Sequence, residues 1–470
     1  MTRHRIFGII FFLLAGLPSA WAQSIPDLYL PQNIQNPFLG SSVNQKPSDT
    51  PIDLSLLSAI DLGLKYNLGL QLSEEQARAA RGVRMESLSD LLPHVRAGFS
   101  ESVQQISLAA FGFPPNQQFP EILGPFSVFD MRSYVSQTIF DLHAIRQTNA
   151  DTLAQKAADY GTRDARELVV LIIANLYLQA VTGESRVEAA QSQFNTAQSL
   201  YNQAADMKSA GLIPAVDVLR AQVEMESRRQ QLIRFQNERE KQKLALARAI
   251  GLPLGQKIRL TDAIRPTPVP PYTLDQALKL AYENRGDYLE AVAQMQSAES
   301  ARKAAQGKYY PSAVMQADFG DIGTNPGGAQ VTFGVMGALK IPIFEGGKTQ
   351  GEVLKADAAL QQKKARLEDL HVLIEQQVRA SFLDLTATGE RVTVAQKALD
   401  LAQQEMEQAQ DRFSAGVANN LEVVEAQESL ANAHEDYISS LFENSMAKAT
   451  LVRSMGRAES TIKTFLGEQP

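Results

Sequence analysis

The chain has 470 residues, with 45 Lys plus Arg against 52 Asp plus Glu, and no cysteine. A formal charge of −7 provides no clustered basic surface for nucleic acid, and the missing thiols exclude disulfide frameworks, thiolate metal sites and Cys nucleophiles. Apolar residues at 44% suffice for a core, while a mean hydropathy of −0.18 excludes a bundle of membrane-spanning helices.

Arg3, His4 and Arg5 precede an apolar run from Ile6 to Leu17, followed by Ala20-Trp21-Ala22. This is the layout of a secretory signal, so residues 1–22 are expected to be cleaved; the run is too short to cross ~30 Å of hydrocarbon. With no Cys after that point, lipid attachment through an N-terminal cysteine is excluded. No later stretch of 18 apolar residues stands out, and no transmembrane helix is expected. Residues 23–51, rich in Pro, Asn, Gln and Ser, read as an extended segment.

From residue 52 the chain is one plan written twice. Ala59-Ile60-Asp61-Leu62 and Pro93 have counterparts in Ala277-Leu278-Lys279-Leu280 and Pro311, 218 residues on. Phe140-Asp141 answers Phe344-Glu345, Thr182-Gly183-Glu184 answers Thr388-Gly389-Glu390, and Ser209-Ala210-Gly211 answers Ser414-Ala415-Gly416. Matches kept in order define a first repeat at 52–261 and a second at 273–460. Between them 262–272, with Pro266, Pro268, Pro270 and Pro271, reads as an extended linker. Residues 461–470 read as a tail.

Each repeat has the order helix, strand, loop, strand, long helix, turn, helix. Residues 144–208 and 348–413 contain no proline, and some 65 helical residues at ~1.5 Å each reach about 100 Å. Leu367, Leu370, Ile374, Val378, Ser381 and Leu385 follow 3–4 spacing among charged residues and Gln. Helices so long and polar must pack side by side as coiled coil. The strands, at 93–103, 128–140, 311–320 and 331–342, alternate. Val95, Ala97, Phe99 and Val103 face one way, against His94, Arg96, Ser100 and Ser102. The other three repeat this pattern at the length a tilted strand needs to cross a bilayer. Four strands cannot close a barrel, and lipid does not tolerate open edges, so a membrane barrel has to be shared between chains. The expected fold is therefore an α+β membrane protein, internally duplicated, with a long α-helical coiled-coil region and four strands given to a shared β-barrel.

Three segments resemble the TolC-like outer-membrane efflux proteins: Pro342-Ile343-Phe344-Glu345-Gly346-Gly347-Lys348 at a strand exit, and helix reversals at 209–219 and 414–424. The resemblance covers nearly the whole chain after the signal. It implies a homotrimer in the outer membrane of a Gram-negative bacterium, with a twelve-stranded barrel above a periplasmic helical tunnel. It also implies docking to a periplasmic adaptor and an inner-membrane transporter, as the exit duct of an efflux or type I secretion system.

Gly211 and Gly416 suit the left-handed turn that ends a helix, Pro214 a first helical turn, and Asn419 or Asn420 a cap. The resemblance marks Gly211, Leu212, Gly416 and Val417 as adaptor-docking tips and Phe344, Glu345, Gly346 and Gly347 as the strand-exit motif. It also places Asp217, Glu422 and Glu425 at acidic positions near the periplasmic entrance, where copies would form carboxylate rings that gather cations. The Tyr and Arg latch of some members is replaced by Phe413 and Ala418, so a gate held by apolar packing at Phe413 is expected instead. The loops at 104–126 and 321–330 face outward, the first crowded with Phe111, Phe113, Phe119 and Phe126.

Enzyme chemistry finds little footing. The five histidines are scattered, His371 and Glu375 one turn apart being the nearest to a metal pair, and no phosphate loop or nucleophile elbow occurs. No cofactor is expected. A soluble periplasmic coiled-coil adaptor, the other class considered, has no need of two copies of paired ten-residue strands. The cargo is not written in the sequence.

Overall fold

The computed structural model describes residues 36–42, 46–48, 50–112, 120–263, 272–418 and 420–465. The expected signal, the linker at 264–271, Phe113, Phe119 and Asn419 lie outside them. Contacts divide the chain into Met1–Asn36 and Pro37–Pro470, and all the described helices and strands belong to the second unit. In chain order come β1 (Ile52–Leu54), α1 (Leu56–Tyr66), α2 (Leu68–Ser89), β2 (His94–Ser107), β3 (Ile122–Phe140), α3 (Leu142–Ser209), α4 (Ala215–Ile250) and β4 (Ile258–Leu260). The second series is α5 (Leu274–Asn284), α6 (Gly286–Gly307), β5 (Ser312–Gly323), β6 (Gln330–Lys340), α7 (Lys348–Ser414), α8 (Asn420–Ser454) and α9 (Ala458–Phe465).

The leading helix of each series is broken in two, which periodicity did not reveal. Asn67 is the reason in the first: its buried side chain accepts from Gly69 N at 2.9 Å and Leu70 N at 3.3 Å, and donates to Phe38 O at 2.7 Å. It ends α1 and caps α2 at one point. Arg285 holds the matching place between α5 and α6.

The long helices run unbroken, α3 through 68 residues and α7 through 67. On α7, Leu385, Leu399, Met406 and Phe413 are buried at multiples of seven, and on α8 Val423, Leu430, Tyr437, Asn444 and Leu451 keep the same repeat. A strict repeat of seven favours left-handed supercoiling. On α3 the repeat is filled by small buried residues, Gly183, Ala190, Ala197 and Ala204. A Cβ at Gly183 would meet the Gln242 side-chain oxygen of α4 at 2.1 Å and Arg239 Cα at 3.5 Å, so the glycine makes room for the Gln242 side chain.

Midway along the helices lies the main core. Leu54, Val169, Ile173, Tyr177, Leu246, Ile250, Ile374, Val378 and Leu451 pack there, beside the parallel pair β1–β4. By composition and length a stretch of α3 would pass for a membrane span, contrary to expectation; 56% of it is buried inside the fold, and it is the spine of this core. The expected tail at 461–470 is also revised, because α9 runs on to Phe465, with Glu167 accepting from Ala458 N and Glu459 N at its start.

The four long strands form one antiparallel sheet in the order β2-β3-β5-β6. Register sets Val95 against Val135, Val135 against Ala317 and Ala317 against Val335, so the expected apolar positions share one face. That face is bare: Val95, Phe99, Val103, Phe319, Phe333, Val335 and Leu339 are each more than 60% exposed. Three strands outrun their expected ends, β2 to Ser107, β3 back to Ile122 and β5 to Gly323, while β6 stops at Lys340. Backbone pairing in a hairpin continues past the point where apolar alternation fades, since each N–H and C=O still needs a partner.

Candidate functional site

Two helix reversals, one strand-to-helix joint and the two faces of the sheet carry the residues of interest. The reversals are built alike. At the first, Gly211 takes φ +76, its N–H donates to Lys208 O at 2.9 Å, and Leu212 N–H donates to Met207 O at 2.9 Å. At the second, Gly416 takes φ +73, donating to Phe413 O at 3.0 Å, and Val417 N–H reaches Arg412 O at 3.0 Å. Both are Schellman endings, in which the residue after the glycine ordinarily folds an apolar side chain back onto its helix. At the end of α4 that happens: Leu252 N–H bonds Ala247 O and Leu252 is buried. At the two reversals it does not, and Leu212 and Val417 stand 69% and 67% exposed.

The acidic residues have local partners that the sequence did not announce. Asp217, in the first turn of α4, meets Arg220 at 3.1 Å, and Glu422, in the first turn of α8, meets Arg412 at 2.8 Å. Glu425 lies exposed on the following turn of α8. Pro214 proves to be the cap of α4 rather than part of its first turn. Beside these residues, Val216, Leu219, Val223, Leu421 and Val424 line an apolar groove of about 370 Å³.

Phe413 is buried among Leu200, Met406, Ala409, Val423 and Ala426, tying α7, α8 and α3 together within one chain. Ala418 follows at the reversal, half-buried. Further along the same helices a cleft of about 470 Å³ runs between Ser185, Ser192, Leu399, Met406, His434 and Tyr437. Burial lowers the pKa of His434.

At the strand exit, Gly346 and Gly347 take φ +61 and +85, and Gly347 opens α7. The Glu345 carboxylate accepts the Thr349 hydroxyl, and Phe344 projects 88% exposed. In the first series Asp141, the counterpart of Glu345, caps α3 directly, accepting from Ala144 N at 3.1 Å. The His371–Glu375 pair does not come together as a site: His371 stacks on Tyr282 with ring centroids 4.4 Å apart, and Glu375 pairs with Arg379 at 2.7 Å.

A buried ionic cluster near the α5–α6 break left no sequence signal, because its members come from four helices. Arg285 binds Asp287 at 2.6 Å and Gln377 at 2.8 Å, while Arg453 binds Asp164 at 2.5 Å. Burial pushes the Asp164 and Glu290 carboxyls up; for Asp287 burial acts the same way, but the Arg285 guanidinium outweighs it and holds the group low. These contacts brace the helices where they break.

A model of the outer membrane efflux protein family matches the chain twice, over residues 60–252 and 277–457. The probable efflux pump outer membrane protein TtgC of Pseudomonas putida is 23% identical over 422 residues, which span 86% of this chain and 83% of TtgC. A membrane protein from Pseudomonas aeruginosa has a crystal structure similar at a TM-score of 0.77 and 18% identity, covering 88% of this chain and 99% of that one. The CmeC outer membrane channel of Campylobacter jejuni is similar at 0.75 and 17% identity, covering 92% and 94%.

Proposed function

The chain belongs to the outer membrane efflux protein family, and on that footing we propose that three copies form the exit duct of a tripartite efflux or secretion assembly. Cargo would pass passively from an inner-membrane transporter, through a periplasmic adaptor, to the outside. One observation carries the reading. A four-stranded sheet with a bare apolar face and two open edges leads through short joints into helices of 68 and 67 residues. Such a face is at ease only in lipid, and such edges only when paired with other chains. The number three is the family's.

Leu212 and Val417, left exposed on Schellman turns beside the apolar groove, support docking of the adaptor at the reversals. Asp217, Glu422 and Glu425 would line the entrance, with Arg220 and Arg412 tempering the first two. The gate we assign to packing at Phe413, which would hold the α7–α8 pair in its closed arrangement rather than plug the opening.

Imaging and mass measurement of the full-length protein extracted in detergent test the proposal. A hollow threefold particle with a long tube is expected. A monomer that leaves the envelope without detergent would overturn it and return the chain to the soluble adaptor class.

A further inference from the structure

The sheet face opposite the apolar one carries a compact charge cluster. Register lays three rungs across the four strands: Arg96, Tyr134, Asp318 and Gly334; then Gly98, Arg132, Gly320 and Thr332; then Ser100, Asp130, Ile322 and Gln330. Arg132 lies in the middle rung. Its Nε donates to Asp130 at 3.1 Å, Nη1 to Asp318 at 2.5 Å and Nη2 to Thr332 at 3.1 Å, so one side chain spans β3, β5 and β6.

That reach needs clear ground. A Cβ on Gly320 would fall 2.5 Å from Arg132 Cα, and one on Gly334 would fall 2.7 Å from Asp318 Oδ1. The glycines are therefore part of the arrangement. Side-chain exposures of 17% for Arg132, 25% for Asp130 and 28% for Asp318 leave the group partly open on this face. One rung away, the Arg96 guanidinium sits over the Tyr134 ring at 5.0 Å.

We propose that Arg132 sets the ion selectivity of the strand-lined passage by cancelling one of the two negative charges of Asp130 and Asp318. The inference rests on the channel reading, since it requires this face to line water. Fixed wall charges enrich counter-ions in a narrow aqueous path within the ~8–10 Å screening length, and a guanidinium held at contact distance from two carboxylates leaves one net negative charge in place of two. Without the guanidinium each chain would present two bare carboxylates on the rungs either side of Arg132. Only a planar fork can reach three acceptors on three strands; an ammonium is a point charge.

Reversal potentials across planar bilayers of zwitterionic lipid, under a KCl gradient and with purified full-length protein, test this. Arg132→Gln is expected to raise the cation-to-anion permeability ratio by about twofold or more, and Asp130→Asn with Asp318→Asn to lower it comparably. The triple variant, with no charge left at the three positions, should fall between the double variant and the unmodified protein. Unchanged ratios in conducting Arg132→Gln and double-variant channels overturn the proposal. If Arg132→Gln alone gives no channels, the double and triple variants decide: a more anion-selective double variant supports the role of Arg132, and equal ratios in the two overturn it. Absence of channels from the unmodified protein would instead remove the channel reading itself.

Discussion

Lys448 illustrates how one buried charge makes stability depend on pH. It lies on α8, two heptads beyond His434, and is 1% exposed. Burial pulls its ammonium down from 10.5 to about 8. The folded chain therefore binds fewer protons than the unfolded chain between these values, and stability rises with pH across that window. The contribution is complete above 10.5 and lost as pH falls through about 8. Melting followed by helix circular dichroism should show this rise, and Lys448→Met should flatten it; an equal rise in the variant would assign the slope to other groups. Phe413 acts through packing instead. Truncating a core Phe costs ~3–5 kcal/mol, here confined to the cluster joining α7, α8 and α3. Phe413→Ala is expected to raise single-channel conductance and quicken proteolysis near Gly416. Unchanged conductance with an unchanged digestion pattern would remove Phe413 from the gate. The sequence identified Phe413 as apolar at a turn; that it is walled in by its own chain emerged only from the fold.

Among the elements, the sheet was the most legible. A period of two fixes which residues share a face, and register kept all four apolar faces together because slipping one strand by one residue would turn its whole set over. Strand ends were less legible, since pairing between Gln104 and Phe126 continues where the apolar signal has stopped. The bare face gives a sharp test at Val335, which is 70% exposed. Val335→Arg should cost about 2–4 kcal/mol if this position sits near the bilayer midplane, seen as loss of assembled protein from the membrane fraction, while Val335→Leu should be silent. On a face that met water, the arginine would be harmless. Helix seams were legible for the same reason as the sheet, and helix breaks were not. Asn67 and Arg285 look like ordinary polar residues until the groups they bind, Phe38 O or Gln377, are brought beside them.

For the whole molecule, the duplication shapes everything else. Two series with the same order give two hairpins in one sheet and two reversals, with α3–α4 and α7–α8 as matching helix pairs. The copies are not equal, however. The β2–β3 hairpin outruns β5, since Ile122, Leu123, Phe126, Ser127 and Val128 pair with β2 residues alone. The sheet has edges at β2 and β6 and one bare apolar face, and the proposed assembly in the outer membrane would pair the edges and cover the face with lipid.

The residues alone settled whatever repeats locally: the apolar faces of strands, the 3–4 spacing along the second long helix, the glycines at the reversals and the doubled plan. Each leaves a periodic or positional trace within a few dozen residues. The folded chain was needed for whatever joins distant segments, such as β1 beside β4, Glu167 capping α9, Arg285 bracing the helix break, and Arg132 reaching Asp318 and Thr332. Such contacts depend on how whole elements dock, and a pairing across some two hundred residues leaves no period to read.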